Sequence, residues 1–243
     1  MLIFTDYYWR KGEKTEKNQD SLAICQMVVR RRRCLMVLVS DGIGSFEESE
    51  KASGFVTEQL IGWFYRLGPK LFHRRRKRRR IVNAVKRELD RVRKRMQEGW
   101  GEKKAGATLS MLLLVGRDFY IWNIGDSRIY QKRKEKVTQL TRDDSRKGML
   151  TKCIGTFPGR QFFVSYGRIR KGDAFLVCSD GFYRRLTPAD LLAVLRAGSG
   201  PACIRPKAIL REAAEQNRVR GEGDDVSAVL VRCEKRGYIY GNP

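Results

Sequence analysis

The sequence predicts an α+β fold in which antiparallel sheets carry helices on their outer sides. Short β-rich runs cluster along the chain and helical patterns occur in pairs between them, an order of elements typical of that class. The chain has 243 residues, of which 42% are apolar, enough for one substantial hydrophobic core. We therefore interpret residues 1–243 as a single domain.

Two β-rich runs, residues 21–29 and 34–40, are joined by four arginines, which predicts a hairpin with a charged tip. The hydrophobic period then changes. Ser45 and Glu48 have capping-box spacing, so a first helix is expected to begin near Ser45. Its apolar stripe consists of Ala52, Val56, Leu60 and Phe64, and the stripe of a second, strongly basic helix consists of Ile81, Val85, Leu89, Val92 and Met96.

Strand patterns return in the second half of the chain. Residues 108–115, 119–124 and 128–131 predict an antiparallel meander whose turns are marked by Gly116 and Gly125. The last elements predicted are strands at 163–169, 174–178 and 226–233 and helices at 188–196 and 206–218.

Residues 141–161 lack a clear period and contain three glycines and a proline. Such a segment predicts a long surface loop. Loops of this length are often functional flaps.

Four aspartates adjoin apolar, strand-like runs: Asp41, Asp126, Asp180 and Asp224. A carboxylate beside a buried strand sits on a rigid edge, and hard oxygen ligands of this kind suit divalent cations. Aspartate is also common in turns, which would explain any one of the four. Four in one chain predict a metal site.

The net charge and the single histidine narrow the range of functions that the chain could have. The 51 Lys and Arg against 27 Asp and Glu give a net charge of +24, so anionic partners are attracted over a Debye length. His73 is the only histidine, which argues against histidine phosphatase chemistry and histidine-rich zinc sites. Carboxylate ligands favour Mg²⁺ or Mn²⁺ over zinc.

The six cysteines indicate a reducing compartment. They form no CxxC pair, and most lie in apolar runs, as free thiols do. The apolar start at residues 1–5 is too short for a signal sequence, and no apolar run is long enough to span a bilayer. We therefore expect a cytoplasmic protein with no membrane span.

Six short motifs occur in an order that matches a known family. They are Asp41-Gly42-Ile43-Gly44, Gly106-Ala107-Thr108, Asn123-Ile124-Gly125-Asp126, Leu140-Thr141-Arg142-Asp143, Cys178-Ser179-Asp180-Gly181 and Asp224-Asp225-Val226-Ser227. In this order they resemble the bacterial-type members of the metal-dependent 2C-type serine/threonine protein phosphatases, over residues 10–233. The resemblance implies a four-layer α/β/β/α sandwich of two mostly antiparallel sheets flanked by helix pairs, with residues 234–243 as a C-terminal tail.

The resemblance also implies roles for the aspartates. Asp41 would bridge two Mg²⁺ or Mn²⁺ ions and Gly42 would offer its backbone carbonyl, while Asp180 and Asp224 would hold one of the pair. These three aspartates are the expected catalytic residues, and Asp126 would hold a third, weaker ion. The ion pair would activate a water for attack on a phosphoserine or phosphothreonine ester. Phosphorylated proteins, made by a cognate kinase, are the implied partners of a monomeric enzyme.

The segment before the first metal aspartate departs from the family pattern Arg-x-x-Asn-Glu-Asp. Thr15 stands where the family has an arginine that grips substrate phosphate, so Lys14 and Lys17 are the candidate phosphate-binding residues, without the planar fork of arginine. Gln19 replaces the glutamate and, with Asp20, would serve a metal weakly or through water. Two further departures are Ser45 in the second glycine pair and Asp225 where asparagine is usual.

Two rival functions are open. Cys178, Gly181 and Arg184 have the spacing of cysteine-dependent phosphatases, although Asp180 would put a negative charge inside their phosphate loop. Residues 74–95 hold thirteen Lys or Arg, so the chain could instead be a basic polyanion-binding module or a pseudophosphatase. Charge alone supports non-specific affinity, and specific nucleic-acid partners are not expected.

Overall fold

The computed structural model describes residues 1–46, 48–73, 78–101, 103–156, 161–197 and 206–234. The strands are β1 (Leu2–Arg10), β2 (Asp20–Val29), β3 (Arg32–Asp41), β4 (Gly106–Ala107), β5 (Leu109–Val115), β6 (Asp118–Ile124), β7 (Arg128–Arg133), β8 (Lys136–Gln139), β9 (Ser145–Arg146), β10 (Met149–Leu150), β11 (Ile154–Gly155), β12 (Phe163–Arg168), β13 (Ala174–Cys178) and β14 (Val226–Glu234). The helices are α1 (Ser49–Phe72), α2 (Arg78–Trp100), α3 (Asp180–Tyr183), α4 (Pro188–Arg196) and α5 (Pro206–Val219).

Two five-stranded sheets form the centre of the molecule. The first sheet has the strand order β1-β14-β13-β7-β8, and the second sheet has the order β12-β6-β5-β3-β2. Neighbouring strands are antiparallel in both. The α+β class and the antiparallel sheets are thereby confirmed.

Three apolar cores separate four layers. Between the sheets, side chains such as Val37 and Leu112 of the second sheet pack with Phe175 and Val229 of the first. A second core joins the second sheet to α1 and α2, and a third joins the first sheet to α4 and α5. The predicted α/β/β/α sandwich is confirmed. No described helix combines the length and apolar character needed to cross a bilayer.

Both predicted helical stripes are confirmed, because all nine of their apolar residues are buried. The predicted capping box is wrong. Helix α1 begins at Ser49, after Glu48 in a left-handed conformation with φ of 58°. The Ser49 hydroxyl donates to the carbonyls of Ile43 and Phe46, at 2.8 and 2.7 Å, so it fixes the turn that leads into the helix. Of the basic run, residues 74–77 lie outside the described residues.

The predicted three-stranded meander is wrong at its last strand. Strands β5 and β6 pair in the second sheet, but β7 pairs with β13 and β8 in the first. The chain crosses between the sheets at Gly125, which has φ of 98° and would place a Cβ 2.6 Å from the Thr108 methyl group. Glycine is therefore required there, and Asp126 follows it at the crossing.

The segment predicted as a surface loop contains regular structure in residues 145–155. Strands β9 and β10 form a hairpin around Lys147 and Gly148, both with positive φ, the chemistry of a tight two-residue turn. Strand β11 pairs with β4 and is buried. Residues 157–160 lie outside the described residues, as do residues 235–243 of the expected C-terminal tail.

Candidate metal and phosphate site

The ends of β2 and β3 bring two acidic residues together. Asp20 opens β2 and Asp41 closes β3, and the two are direct partners across the ladder. Thr108 holds Asp41 in place, since its N–H donates to the Asp41 carbonyl at 2.8 Å and its hydroxyl accepts from the Asp41 N–H at 3.0 Å. The backbone at this corner is therefore rigid.

Gly42 lets the chain leave β3 in a crowded place. Its N–H donates to the carbonyl of Gln19 at 3.0 Å, and a Cβ on Gly42 would lie 2.4 Å from the carbonyl oxygen of Ser49. The same Gln19 carbonyl accepts from Ser53 of α1 at 2.6 Å. Only glycine fits between these backbone groups, so Gly42 has a packing role whatever its carbonyl binds.

The ends of β13 and β14 bring the other aspartates together. Asp180 begins α3 directly after β13, and the Ser179 N–H donates to the Ser227 carbonyl at 2.9 Å. A Cβ on Gly181 would lie 2.0 Å from the Asp225 carbonyl oxygen, so glycine allows α3 to approach the start of β14. Asp180 and Asp224 are thereby neighbours.

Polar contacts join the two sheets at this end. The Ser179 hydroxyl donates to Asp20 Oδ2 at 2.8 Å, and the Tyr183 hydroxyl of α3 donates to the Asp126 carbonyl at 2.8 Å. All four aspartates singled out in the sequence therefore lie at the same end of the sandwich. Asp180 begins α3 and Asp224 precedes β14, while Asp41 ends β3 and Asp126 lies in the crossing segment.

We call Asp20, Asp41 and Asp126 the second-sheet side of the site. Their carboxyl groups are crowded together, and the net effect on their pKa values is upward. Loss of solvent raises the pKa of Asp41 well above its ordinary range, and the nearby carboxylates of Asp20, Asp126, Asp224 and Asp225 raise it further. Burial likewise raises the pKa of Asp20 to about 7, despite hydrogen bonds from serines. Burial is also the main cause of the raised pKa of Asp126.

The first-sheet side contains cations, in a group we call the Arg184 cluster: Lys14, Asp180, Arg184, Glu222 and Asp224. Arg184 donates to Asp180 Oδ2 and to Glu222 Oε2, the latter at 3.2 Å, and lies 3.6 Å from Asp224 Oδ2. Lys14 donates to Glu222 Oε1 at 3.0 Å and to Asp224 Oδ2 at 3.1 Å. Each carboxylate of the cluster therefore contacts a cationic side chain.

The cations change the ionisation of their partners. Burial alone would raise the pKa of Glu222, but Lys14 and Arg184 outweigh it and hold that pKa below its ordinary value. Partial burial alone would lower the pKa of Lys14, but its hydrogen bonds to Glu222 and Asp224 outweigh that effect and raise it. Both groups are therefore charged at neutral pH.

Asp225 organises the segment that precedes β2. Its Oδ1 accepts from the N–H of Gly12 at 2.7 Å, and its Oδ2 accepts from the N–H of Gln19 at 2.7 Å. The Thr15 hydroxyl donates to the Lys17 carbonyl at 2.8 Å and lies 3.4 Å from Asp225 Oδ2. Thr15, the position of the missing arginine, thus faces Asp225. Asp225 shapes this segment through its side chain.

The two lysines predicted to bind phosphate lie in different surroundings. Lys14 belongs to the Arg184 cluster, next to Asp224. The side chain of Lys17 is 73% exposed and pairs with Glu50 at the start of α1, at 3.0 Å. The structure therefore brings Lys14, and not Lys17, to the candidate metal carboxylates.

Comparison with known families decides the classification. The family model for Protein phosphatase 2C matches residues 11–201 of the chain. The chain belongs to the protein phosphatase 2C family. The resemblance inferred from six short motifs is confirmed.

Similar proteins include the serine/threonine protein phosphatase PstP of Mycobacterium tuberculosis, with 28% identity in an alignment of 155 residues that covers 56% of this chain and 29% of PstP. Among solved structures, Stp1 of Staphylococcus aureus has a TM-score of 0.80 at 20% identity, covering 97% of this chain and 96% of Stp1. The PstP catalytic domain in complex with two manganese ions has a TM-score of 0.71 at 20% identity, covering 96% and 99%. These structures share the fold of this phosphatase 2C chain.

The residues present fit Mg²⁺ or Mn²⁺ in kind. The donors are carboxylates and a backbone carbonyl, and Asp20 Oδ1 is buried without a hydrogen-bond partner in the described part of the chain. Across the described ranges, however, no three Asp, Glu, His or Cys side chains converge on one ion position. In the Arg184 cluster, Asp180 and Asp224 contact Arg184 and Lys14 instead.

The geometry argues against a cysteine nucleophile in this phosphatase 2C chain. Cys178 is the last residue of β13 and is fully buried, and burial raises the pKa of its thiol strongly. Arg184, which would cradle phosphate in that mechanism, contacts carboxylates instead. Cys178 is a core residue.

Sequence reasoning missed Glu222 and the carboxylate-binding role of Arg184. A signal existed for each: Arg184 follows Asp180 by four residues, the spacing that places two side chains on one helix face, and Glu222 lies two residues before Asp224. Thr108 and Ser179 were also missed as the residues that fix Asp41 and Asp20.

Proposed function

We propose that this chain is a Mn²⁺- or Mg²⁺-dependent phosphatase that hydrolyses phosphoserine and phosphothreonine in proteins. The observation that carries the proposal is that Asp41, Asp126, Asp180 and Asp224 lie at the same end of the sandwich of a phosphatase 2C family member. Manganese in the structurally similar PstP domain supports the class of ion.

Each residue has a distinct proposed task. Asp41 and the Gly42 carbonyl would hold both ions of a pair, Asp180 and Asp224 would complete one of them, and Asp126 would hold a third, weaker ion. Bound divalent ions supply a water of lowered pKa and neutralise charge on the phosphoryl oxygens. The side chains of Gln19 and Asp20 would act on the metal through water.

The substrate class follows from charge. A chain with a net charge of +24 attracts phosphorylated, acidic protein segments over distances of about 10 Å. Lys14 lies at the exposed rim of the site and would meet the phosphate group. We also propose a cytoplasmic location, a cognate serine/threonine kinase and a monomeric state.

The test is hydrolysis of p-nitrophenyl phosphate and of a phosphothreonine peptide by the purified chain, with Mn²⁺, with Mg²⁺ and with EDTA. We expect turnover with either ion and none in excess EDTA. Full activity in EDTA would rule out the metal mechanism. Asp41→Asn serves as the control for a contaminating phosphatase, because it should remove the activity.

A pseudophosphatase is the second candidate. It is favoured by the cations already seated on Asp180 and Asp224 and by Thr15, which faces Asp225 instead of a substrate position. Calorimetry with a phosphothreonine peptide distinguishes the two functions. Binding of the peptide without turnover, with Mn²⁺, Mg²⁺ and several other divalent ions, would favour the pseudophosphatase.

A further inference from the structure

We propose that Arg184, assisted by Lys14, is a tethered counter-cation that competes with divalent ions for Asp180 and Asp224. The inference rests on the proposed function, because it concerns the same metal site. It adds a property of this chain: metal affinity is set partly by two of its own side chains.

Arg184 is placed to reach both Asp180 and Asp224. Its guanidinium donates to Asp180 and lies 3.6 Å from Asp224 Oδ2, so one planar group reaches both carboxylates expected to hold an ion. Lys14 contacts the same Oδ2 of Asp224, at 3.1 Å. An ion at this position would therefore replace contacts that the carboxylates already make.

Glu222 holds both cationic side chains beside the site. Glu222 has only 3% of its side chain exposed and binds both Lys14, at 3.0 Å, and Arg184, at 3.2 Å. Its Oε1 also accepts from the N–H groups of Gly223 and Asp224, at 3.1 and 3.2 Å. Glu222 is not one of the expected metal ligands, so it would retain both cations beside the site after an ion enters.

Both cationic side chains are exposed enough to move away from the carboxylates. The side chain of Arg184 is 41% exposed and that of Lys14 is 52% exposed. Both can turn towards solvent while their stems stay in place. A cation held by a buried carboxylate on one side and open to water on the other is suited to leave and return, as a competitor must.

The competition predicts a gain of metal affinity when the cation is removed. In Arg184→Met the stem is kept and the charge is lost, so the Kd for Mn²⁺ should fall at least tenfold. Arg185 is the matched control, because it is the next residue, carries the same charge and is exposed. Arg185→Met should leave the Kd within about twofold of the wild type, since a solvent-exposed charge is screened and acts weakly. Titration calorimetry of the metal-free proteins with Mn²⁺ measures both values.

A second measurement needs no bound metal and no activity. In EDTA, Arg184→Met leaves three carboxylates with one cation, so its Tm should lie below that of the wild type. Saturating Mn²⁺ should remove the difference, because the ion takes over the missing charge. Lys14→Met should also lower the Kd for Mn²⁺, because it removes the second cation from Asp224, and it keeps the proposal testable if Arg184→Met folds poorly.

The outcomes separate this inference from the proposed function. If the wild type binds Mn²⁺ and hydrolyses phosphopeptide but Arg184→Met binds Mn²⁺ no more tightly, only the competition is wrong. An unchanged Kd for Mn²⁺ with a raised KM would instead assign Arg184 to substrate phosphate. Tighter Mn²⁺ binding by Arg184→Met without hydrolysis by either protein would support the competition and contradict the phosphatase activity. If neither protein binds Mn²⁺, both proposals fail.

Discussion

The two sides of the candidate site contain the same kind of residue in opposite electrostatic states. On the second-sheet side, Asp20 and Asp41 are partners across a ladder and their carboxyl pKa values are raised. On the first-sheet side, Asp180 and Asp224 contact Arg184 and Lys14. On one side the crowded carboxyl groups bind protons more readily, and on the other side cationic side chains neutralise the carboxylates.

The difference shows two ways to stabilise clustered carboxylates before an ion arrives. Protonation can remove the charge, which is what a raised pKa means, or a side chain can neutralise it. A protonated carboxyl yields to a metal ion by releasing a proton, whereas a paired carboxylate yields only when its cation moves. Entry of an ion should therefore depend on pH at the first kind of site and on side-chain motion at the second.

The largest effect on catalysis is expected from a substitution on the second-sheet side of the site. Asp41→Asn should lower kcat/KM at least ~100-fold at saturating Mn²⁺, because it removes the carboxylate proposed to bridge the ions. Steady-state hydrolysis of a phosphothreonine peptide measures the loss. Asp90→Asn, on the outer helix α2, is the matched control and should retain wild-type turnover. Normal activity of Asp41→Asn would remove Asp41 from the mechanism.

The sharpest test of the comparison is the stability of the metal-free protein, where the two sides should respond with opposite signs. Asp41→Asn should stabilise the protein in EDTA at pH 8 by about 1 kcal/mol, because it relieves a crowded negative charge. Asp224→Asn should destabilise it by a smaller amount, since it breaks contacts with Lys14 and Arg184 at a partly exposed position. Urea unfolding measures both changes, and equal signs would contradict the comparison.

The pH dependence follows from the direction of the Asp41 shift. The folded pKa lies above the unfolded value near 4, so the stability contributed by this group is fully present below that value and lost as pH rises through the folded pKa. The stabilisation by Asp41→Asn should therefore be larger at pH 8 than at pH 5. Thermal unfolding in EDTA at the two pH values checks this, and a gain that grows towards low pH would be inconsistent with it.

A smaller effect is expected at Cys178. Cys178→Ala should keep kcat within about tenfold of the wild type, because this fully buried thiol has no chemical role in a metal mechanism. Its main consequence should be a modest loss of stability from a small cavity. Near-complete loss of turnover in a folded, Mn²⁺-loaded variant would return the cysteine mechanism to consideration.

The smallest effect is expected at Lys17. This lysine pairs with Glu50 at the surface, and exposed ion pairs contribute about 0–1 kcal/mol. Lys17→Ala should change the KM for a phosphopeptide less than twofold, whereas Lys14→Ala should change it more. A larger rise in KM for Lys17→Ala would show that the segment before β2 closes over the substrate from the other side.

The sequence was sufficient for elements with a strong local period. The apolar stripes of α1 and α2 and the paired strands β2 and β3 were predictable from the sequence. A hydrophobic period of 3.6 or two residues can be recognised within a short stretch of sequence. Strand β1 was missed, since it pairs with β14 more than two hundred residues away and its exposed face carries Tyr7 and Trp9. The sheet switch after β6 was missed because Gly125 would serve a hairpin equally well.

The site was predictable as a set of residues and not as an arrangement. Ordered motifs identified the aspartates, and the fold places them at one end. The contacts of Arg184 depend on how a four-residue helix is set against the start of β14, which is decided by Gly181 and the Asp225 carbonyl. A short spacing in sequence cannot show which of several nearby carboxylates a long side chain reaches.

The hydrogen bond from Ser179 to Asp20 has a mechanical consequence. Apolar packing between two sheets is non-directional, so by itself it permits one sheet to slide over the other. A buried hydroxyl that donates at 2.8 Å to a carboxyl group of the opposite sheet is directional, so it weakens when one sheet slides. This bond therefore favours one alignment of the two sheets at the end where the carboxylates of both sheets lie.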